Sequence, residues 1–318
     1  MAVERVSVPA PTPHDVVVRV THSWISPGTE GSFIRGERLD GETARRPTDP
    51  LPFPLVPGYQ KVGVAEWVGD AVSHVAVGET VFAAMSRVDD VLFAAGGHVS
   101  PAVTPADGVW SLPQDSSPLA FSGLVLTQVG YNCAMRPTLA PGDAAVVIGD
   151  GLVGHWSAQA LRLRGARVLL VGRHEARLSR LAPEQGIDRL NSRSTELAAA
   201  VGSWAPEGIQ AVIDTVGSVE TIVQLLPHMR RQGHLVSAGF LGAHGAIDIQ
   251  QLRPRELTLH APSGWTRSRM DATRDHITSG ALLTEPLITH RFPLAAAADA
   301  FAVALNDRTA LGVIIDWE

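Results

Sequence analysis

Three glycines, Gly149, Gly151 and Gly154, follow the apolar run Ala-Ala-Val-Val-Ile at residues 144–148 and precede a helix-like stretch and a second apolar run at residues 168–171. Strand, glycine turn, helix and strand in that order form a cradle for a dinucleotide pyrophosphate. Gly149 permits the tight turn, Gly151 lets the backbone approach the phosphates, and Gly154 lets the helix pack closely on the strand. Leu152 and Val153 begin that helix, where N–H groups face the anion.

The residues after the second run choose between dinucleotides. A site for NAD ends this strand in Asp or Glu, which holds the ribose 2′-hydroxyl. Here the chain reads Val171-Gly172-Arg173-His174-Glu175-Ala176-Arg177, with Gly172 at the acidic position. No carboxylate is then expected to repel a 2′-phosphate, and Arg173 offers that phosphate a planar fork of donors. The expected cofactor is NADP(H). His174 and Arg177 are secondary candidates, since Arg177 lies four residues beyond Arg173 and can share its helix face.

Composition bounds the rest. The 318 residues suffice for two domains with ample core. A net charge of −6 without a basic cluster argues against nucleic acid as a partner. The first residues mix Glu4 and Arg5 with prolines, and no run reaches transmembrane length, so a cytoplasmic protein without a membrane partner is expected. The single cysteine, Cys133, excludes an internal disulfide and a multi-cysteine metal site. Lys61, the one lysine among 26 basic residues, is the only candidate for Schiff-base chemistry and falls within an expected strand.

These groups must be positioned by two kinds of element. The first third reads as β-rich, with strands at residues 16–20, 61–69 and 79–84 separated by Pro/Gly stretches such as 51–58. Residues 31–49 lack a period and read as a loop with a helical turn. From Ser117 long apolar helices and strands alternate, as in a parallel doubly wound sheet. Its later strands are expected at 211–214, 234–239 and 257–261, followed by a helix at 295–306 and a terminal strand at 311–317. Residues 113–118 read as the linker.

A β-rich start, a central Rossmann pattern and a C-terminal return resemble the medium-chain dehydrogenase/reductase superfamily over nearly the whole chain. The resemblance rests on Pro57-Gly58-Tyr59-Gln60-Lys61-Val62-Gly63, on Pro141-Gly142-Asp143 leading into the glycine turn, and on Val212-Ile213-Asp214-Thr215-Val216-Gly217. Ile25-Ser26-Pro27-Gly28-Thr29-Glu30 and the ending Leu311-Gly-Val-Ile-Ile-Asp-Trp317 look most like the bacteriochlorophyllide a dehydrogenase branch. The implied fold is α/β: a GroES-like catalytic domain at 1–117, a Rossmann cofactor domain at 118–262, and a return to the first domain at 263–318. A homodimer is implied as well.

Zinc-dependent members of that superfamily hold their metal through a Cys, a His and a third Cys, Asp or Glu. The matching positions here are Pro27, Tyr59 and the stretch Leu124 to Gln128, and a catalytic zinc needs three protein ligands. No metal is therefore expected. By the same resemblance Tyr59 stands at the zinc-binding histidine and Thr29 at a proton-relay hydroxyl, so either can protonate a developing alkoxide. Tyr59 is the first choice as donor; Glu30 is an outer partner or an ion-pair residue. Asp214, Val216 and Gly217 fall near the adenosine side of the cofactor, and Ser237, Ala238, Gly239 and Phe240 near the nicotinamide. Trp24, Trp156 and Trp265 either line the substrate cleft or fill core. Tyr131 and Asn132 either hold substrate or carboxamide, or cap a helix.

Three functions stay open on the sequence. The leading one is a zinc-independent, NADP(H)-dependent oxidoreductase acting on a carbonyl or secondary alcohol of a specialised small molecule, with reduction favoured. The second is a quinone or enone reductase on the same fold. The third is a noncatalytic cofactor-binding protein.

Overall fold

A computed structural model describes residues 1–317. The chain divides into two units: residues 1–125 with 270–280 and the segment from 284 onward, and residues 126–269 with 281–283.

Alternating valines make Asp15–Trp24 the central strand of the first unit, with Val16, Val18 and Val20 buried in one core. This strand pairs antiparallel with Lys61–Val68 along most of its length, with Ala102–Pro105 at its start and with Gly312–Asp316 at its end. Thr80–Ala83 and Val109–Ser111 extend the sheet on one side, and Ile288–Pro293 extends it on the other. The C-terminal strand thus closes on the N-terminal one. The helix Ala297–Asn306 packs Ala300, Phe301 and Ala304 against that end of the sheet, together with Ile25 and Ile315.

The loop expected at 31–49 is more ordered than its aperiodic sequence suggests. A short helix, Thr29–Ile34, is followed by the paired strands Arg38–Asp40 and Thr43–Ala44. No apolar alternation marks this hairpin because a charged side chain holds it. Arg38 is buried, and its guanidinium donates to Ser32 Oγ at 2.6 Å, the Gly41 carbonyl at 2.9 Å and Glu42 Oε2 at 2.7 Å.

The second unit is a parallel sheet of six strands among the described residues. Their order is Ile187–Asn191, Arg167–Gly172, Ala144–Ile148, Ile209–Asp214, Met229–Ser237, Thr258–His260. Written by position along the chain this is 3-2-1-4-5-6, the Rossmann order, whose direction reverses between Ala144–Ile148 and Ile209–Asp214. Both faces of such a sheet are covered, which explains why Ala144–Ile148 is buried at every position and reads as a continuous apolar run. The loops after those two strands meet at the carboxyl end, where ligands of open α/β sheets bind.

Candidate active site and cofactor cradle

The glycine turn is built as its spacing requires. Gly149 has φ +118°, and a Cβ there would stand 2.3 Å from Thr215 Oγ1. A Cβ on Gly154 would stand 1.9 Å from the Gly149 carbonyl oxygen, so the helix Leu152–Leu163 can approach its strand only with glycine there. At Gly151 a Cβ would meet nothing within 4 Å, which leaves open space over the turn. No side chain caps the helix, so the first N–H groups, those of Leu152 and Val153 among them, are free to take an anion. These features fit a dinucleotide pyrophosphate.

Asp214 organises the opposite lip of this cradle. Its carboxylate accepts from Val216 N at 3.1 Å and from Gly217 N at 2.9 Å, while its carbonyl accepts from Ala238 N at 2.8 Å and Gly239 N at 3.0 Å. Desolvation raises its pKa, and the backbone donors act against that shift. Asp214 is fully buried, so its side chain shapes the 216–217 and 238–239 loops from beneath. Ser237 sits beside Asp214 in the parallel register.

The strand end at Gly172 departs from the sequence expectation. A carboxylate does stand there, reached from the glycine turn. Asp150 Oδ2 accepts from Arg173 N and from His174 N, each at 2.7 Å, and lies 3.1 Å from His174 Nδ1. Arg177 Nη1 is 3.8 Å from Asp150 Oδ1. A Cβ on Gly172 would fall 2.5 Å from Asp150 Oδ2, so the absent side chain at 172 is what admits Asp150. Arg173 is exposed, and its guanidinium has no side-chain partner among the described residues.

In the first unit Tyr59, Ser26, Thr29, Glu30 and His98 come together. Tyr59 donates its hydroxyl proton to Ser26 Oγ at 2.7 Å, and Ser26 N donates to Glu30 Oε1 at 2.7 Å. Glu30 Oε2 is 2.9 Å from His98 Nε2, and His98 Nδ1 is 2.8 Å from Ser23 Oγ, which also accepts from Trp317 Nε1 at 2.8 Å. Burial pushes the Tyr59 hydroxyl above its usual pKa and the nearby Glu30 charge adds to this, while hydrogen bonds with Ser26 and Thr29 pull the other way. Tyr59 is therefore a protonated donor at neutral pH. Sequence reading missed His98 and Ser26. A signal existed at Gly96-Gly97-His98: a Cβ on Gly97 would stand 2.2 Å from Tyr59 N, marking a close pass between the two segments.

The remaining candidates have these surroundings within their own units. Trp24 has no accessible surface and packs against Gly123 and Gly312, so it fills core and is corrected as a substrate contact. Trp156 is also fully buried, with Nε1 donating to the Leu283 carbonyl at 3.2 Å. Asn132 is buried in the last turn of the helix Leu124–Ala134, and its Oδ1 accepts from the Arg136 side chain, a pairing that caps no backbone group. Trp265 stays partly exposed. Lys61 donates to the Ala84 carbonyl at 2.6 Å, and burial lowers its pKa to about 7. Burial pushes the Cys133 thiol up to about 12.

The side chains at the positions that the resemblance matches to zinc ligands do not suit a catalytic zinc. Pro27 has no donor atom, Tyr59 is hydrogen-bonded to Ser26, and Glu30 and His98 are spent on each other. Among the described residues no three His, Cys, Asp or Glu side chains are grouped to hold a metal.

Comparison with known proteins agrees with this architecture. The family model described as "Zinc-binding dehydrogenase" matches residues 153–278. A 2-desacetyl-2-hydroxyethyl bacteriochlorophyllide A dehydrogenase of Cereibacter sphaeroides is 28% identical over 100% of this chain and 95% of its own. A protein of Sinorhizobium meliloti 1021 described as a "putative zinc-binding dehydrogenase", solved bound to NADP, has a TM-score of 0.81 at 21% identity, covering 98% of this chain and 94% of its own. A protein of Escherichia coli CFT073 described as a short chain alcohol dehydrogenase, solved with NADH, has a TM-score of 0.80 at 20% identity, covering 98% and 94%.

Proposed function

We propose that the chain, as a member of the alcohol dehydrogenase-like medium-chain dehydrogenase/reductase superfamily, is a zinc-independent, NADP(H)-dependent oxidoreductase that passes hydride between the nicotinamide and a carbonyl or secondary alcohol. The observation that carries the proposal is the Tyr59 hydroxyl. By the family resemblance it stands where a zinc-binding histidine would, and burial and the Glu30 charge raise its pKa, so it is protonated at neutral pH.

When bound, the nicotinamide supplies the hydride. Tyr59 donates the accompanying proton to the substrate oxygen by turning from Ser26 Oγ, 2.7 Å away. Glu30 fixes the Ser26 backbone and is itself fixed by His98, so the donor sits on a braced turn. A protonated donor suits reduction. Arg173, exposed and without a side-chain partner, supports NADP(H) over NAD(H), since a guanidinium pairs with a 2′-phosphate. The substrate proposed is a specialised small molecule of biosynthesis. The assembly proposed is a homodimer.

The test is NADPH consumption against panels of ketones and enones, with and without a strong chelator. Ketone turnover indifferent to the chelator supports the proposal. Loss of activity on chelation contradicts it, and turnover of enones alone makes the chain a C=C reductase.

A further inference from the structure

Resting on the reading that the cradle takes NADP(H), we propose that Asp150 is a second specificity-determining residue. Its carboxylate replaces the strand-end acid and accepts the ribose 2′-hydroxyl of NADH, so the chain binds both dinucleotides and prefers NADPH only modestly.

The argument begins with space. An acid at position 172 would carry its side chain into the volume that Asp150 fills, because a Cβ there would lie 2.5 Å from both the Asp150 Cβ and Oδ2. The turn residue and the strand-end residue therefore cannot both present a carboxylate, and this chain presents the one from the turn.

Donors come next. The N–H groups of Arg173 and His174 lie at the strand end where a 2′-phosphate would look for partners, and Asp150 Oδ2 already holds both at 2.7 Å. A 2′-phosphate has only acceptors and carries negative charge, so it competes with this carboxylate. A 2′-hydroxyl can donate to it. The phosphate retains one uncommitted cation, Arg173. His174 and Arg177 are turned toward Asp150, with His174 Nδ1 at 3.1 Å and Arg177 Nη1 at 3.8 Å, so the imidazole donor and the Arg177 charge face the internal anion. One strand end thus carries an acceptor for the hydroxyl form and a cation for the phosphate form.

Direct binding tests this without turnover. The full chain, Asp150→Asn and Asp150→Ser are titrated with NADPH and NADH by nicotinamide fluorescence, and with 2′,5′-ADP and 5′-AMP by calorimetry. Neutralising Asp150 is expected to tighten NADPH about tenfold and weaken NADH about tenfold, the scale of one charge-assisted hydrogen bond. The two adenine nucleotides should follow the same pattern. An unchanged ratio, or equal loss of both dinucleotides in a variant that still melts cooperatively, overturns the proposal and leaves Asp150 as a loop brace. Should both variants fail to fold, the wild type decides: dissociation constants for NADH and NADPH within about a hundredfold support the proposal, and a wider gap overturns it. A wild type that binds neither dinucleotide defeats the cofactor reading itself. A wild type that prefers NADPH through Arg173 while the Asp150 variants keep its ratio defeats only this inference.

Discussion

Tyr59 and Asp150 show how far residue identity alone carries the chemistry. Tyr59 stood out in the sequence because the family resemblance puts a phenol where a metal ligand would be, but its brace did not. The Glu30 to His98 contact spans 68 residues and leaves no local pattern. Asp150 was hidden in the same way: as the variable position of Gly-x-Gly it suggests a surface turn, yet its carboxylate reaches backbone 23 and 24 residues away. Tyr59→Phe should lower kcat by about 10² to 10⁴-fold and leave the NADPH dissociation constant unchanged, as expected for a positioned acid. Steady-state kinetics beside fluorescence titration checks both halves. Trp24→Ala should instead cost about 3–5 kcal/mol of stability by chemical denaturation, because this side chain is core and not cleft.

At the scale of elements, the glycine turn was the most legible feature because strand, turn and helix are contiguous in sequence and each glycine has its own steric reason. The Arg38 hairpin was illegible because one buried guanidinium, rather than an alternating apolar face, holds it. The steric reasons predict different failures. Gly154→Ala pushes a Cβ against the Gly149 carbonyl oxygen, 1.9 Å away, and should lower the melting temperature and abolish dinucleotide binding together. Gly151→Ala meets nothing in the chain and has an ordinary φ of −82°, so it should keep the melting temperature while weakening NADPH. Thermal melts with and without NADPH separate the two, and a Gly151→Ala protein that melts early would contradict the open space assigned to that position.

Across the whole molecule, two buried bases give stability a pH dependence of predictable sign. His155 in the cofactor unit is lowered from 6.5 to about 4, chiefly by desolvation. Between those values the unfolded chain holds a proton that the folded chain lacks, so stability falls as pH drops from about 6.5 toward 4. Lys61 in the β-rich unit is lowered from 10.5 to about 7 by burial, so the same argument makes stability rise with pH from about 7 to 10.5. His155→Leu should flatten the acid limb and Lys61→Met the alkaline limb of melting temperature against pH. Equal slopes in wild type and variant would show that these groups are not buried as described. The change from short β-branched runs to long helix and strand alternation suggested a division near Ser117, whereas the units of the structure part between Val125 and Leu126. The return of the last strand to pair with the first was visible only through family resemblance, since pairing across some 290 residues leaves no trace in local sequence.

The central claim, a Rossmann cradle selecting NADP(H) through Arg173, is tested most directly by titrating wild type and Arg173→Ala with NADPH and NADH by fluorescence. Saturable binding of both dinucleotides is predicted, tighter for NADPH, with Arg173→Ala losing about ten- to a hundredfold for NADPH and little for NADH. Binding of neither dinucleotide by the wild type, or an Arg173→Ala protein with unchanged NADPH affinity, would contradict it.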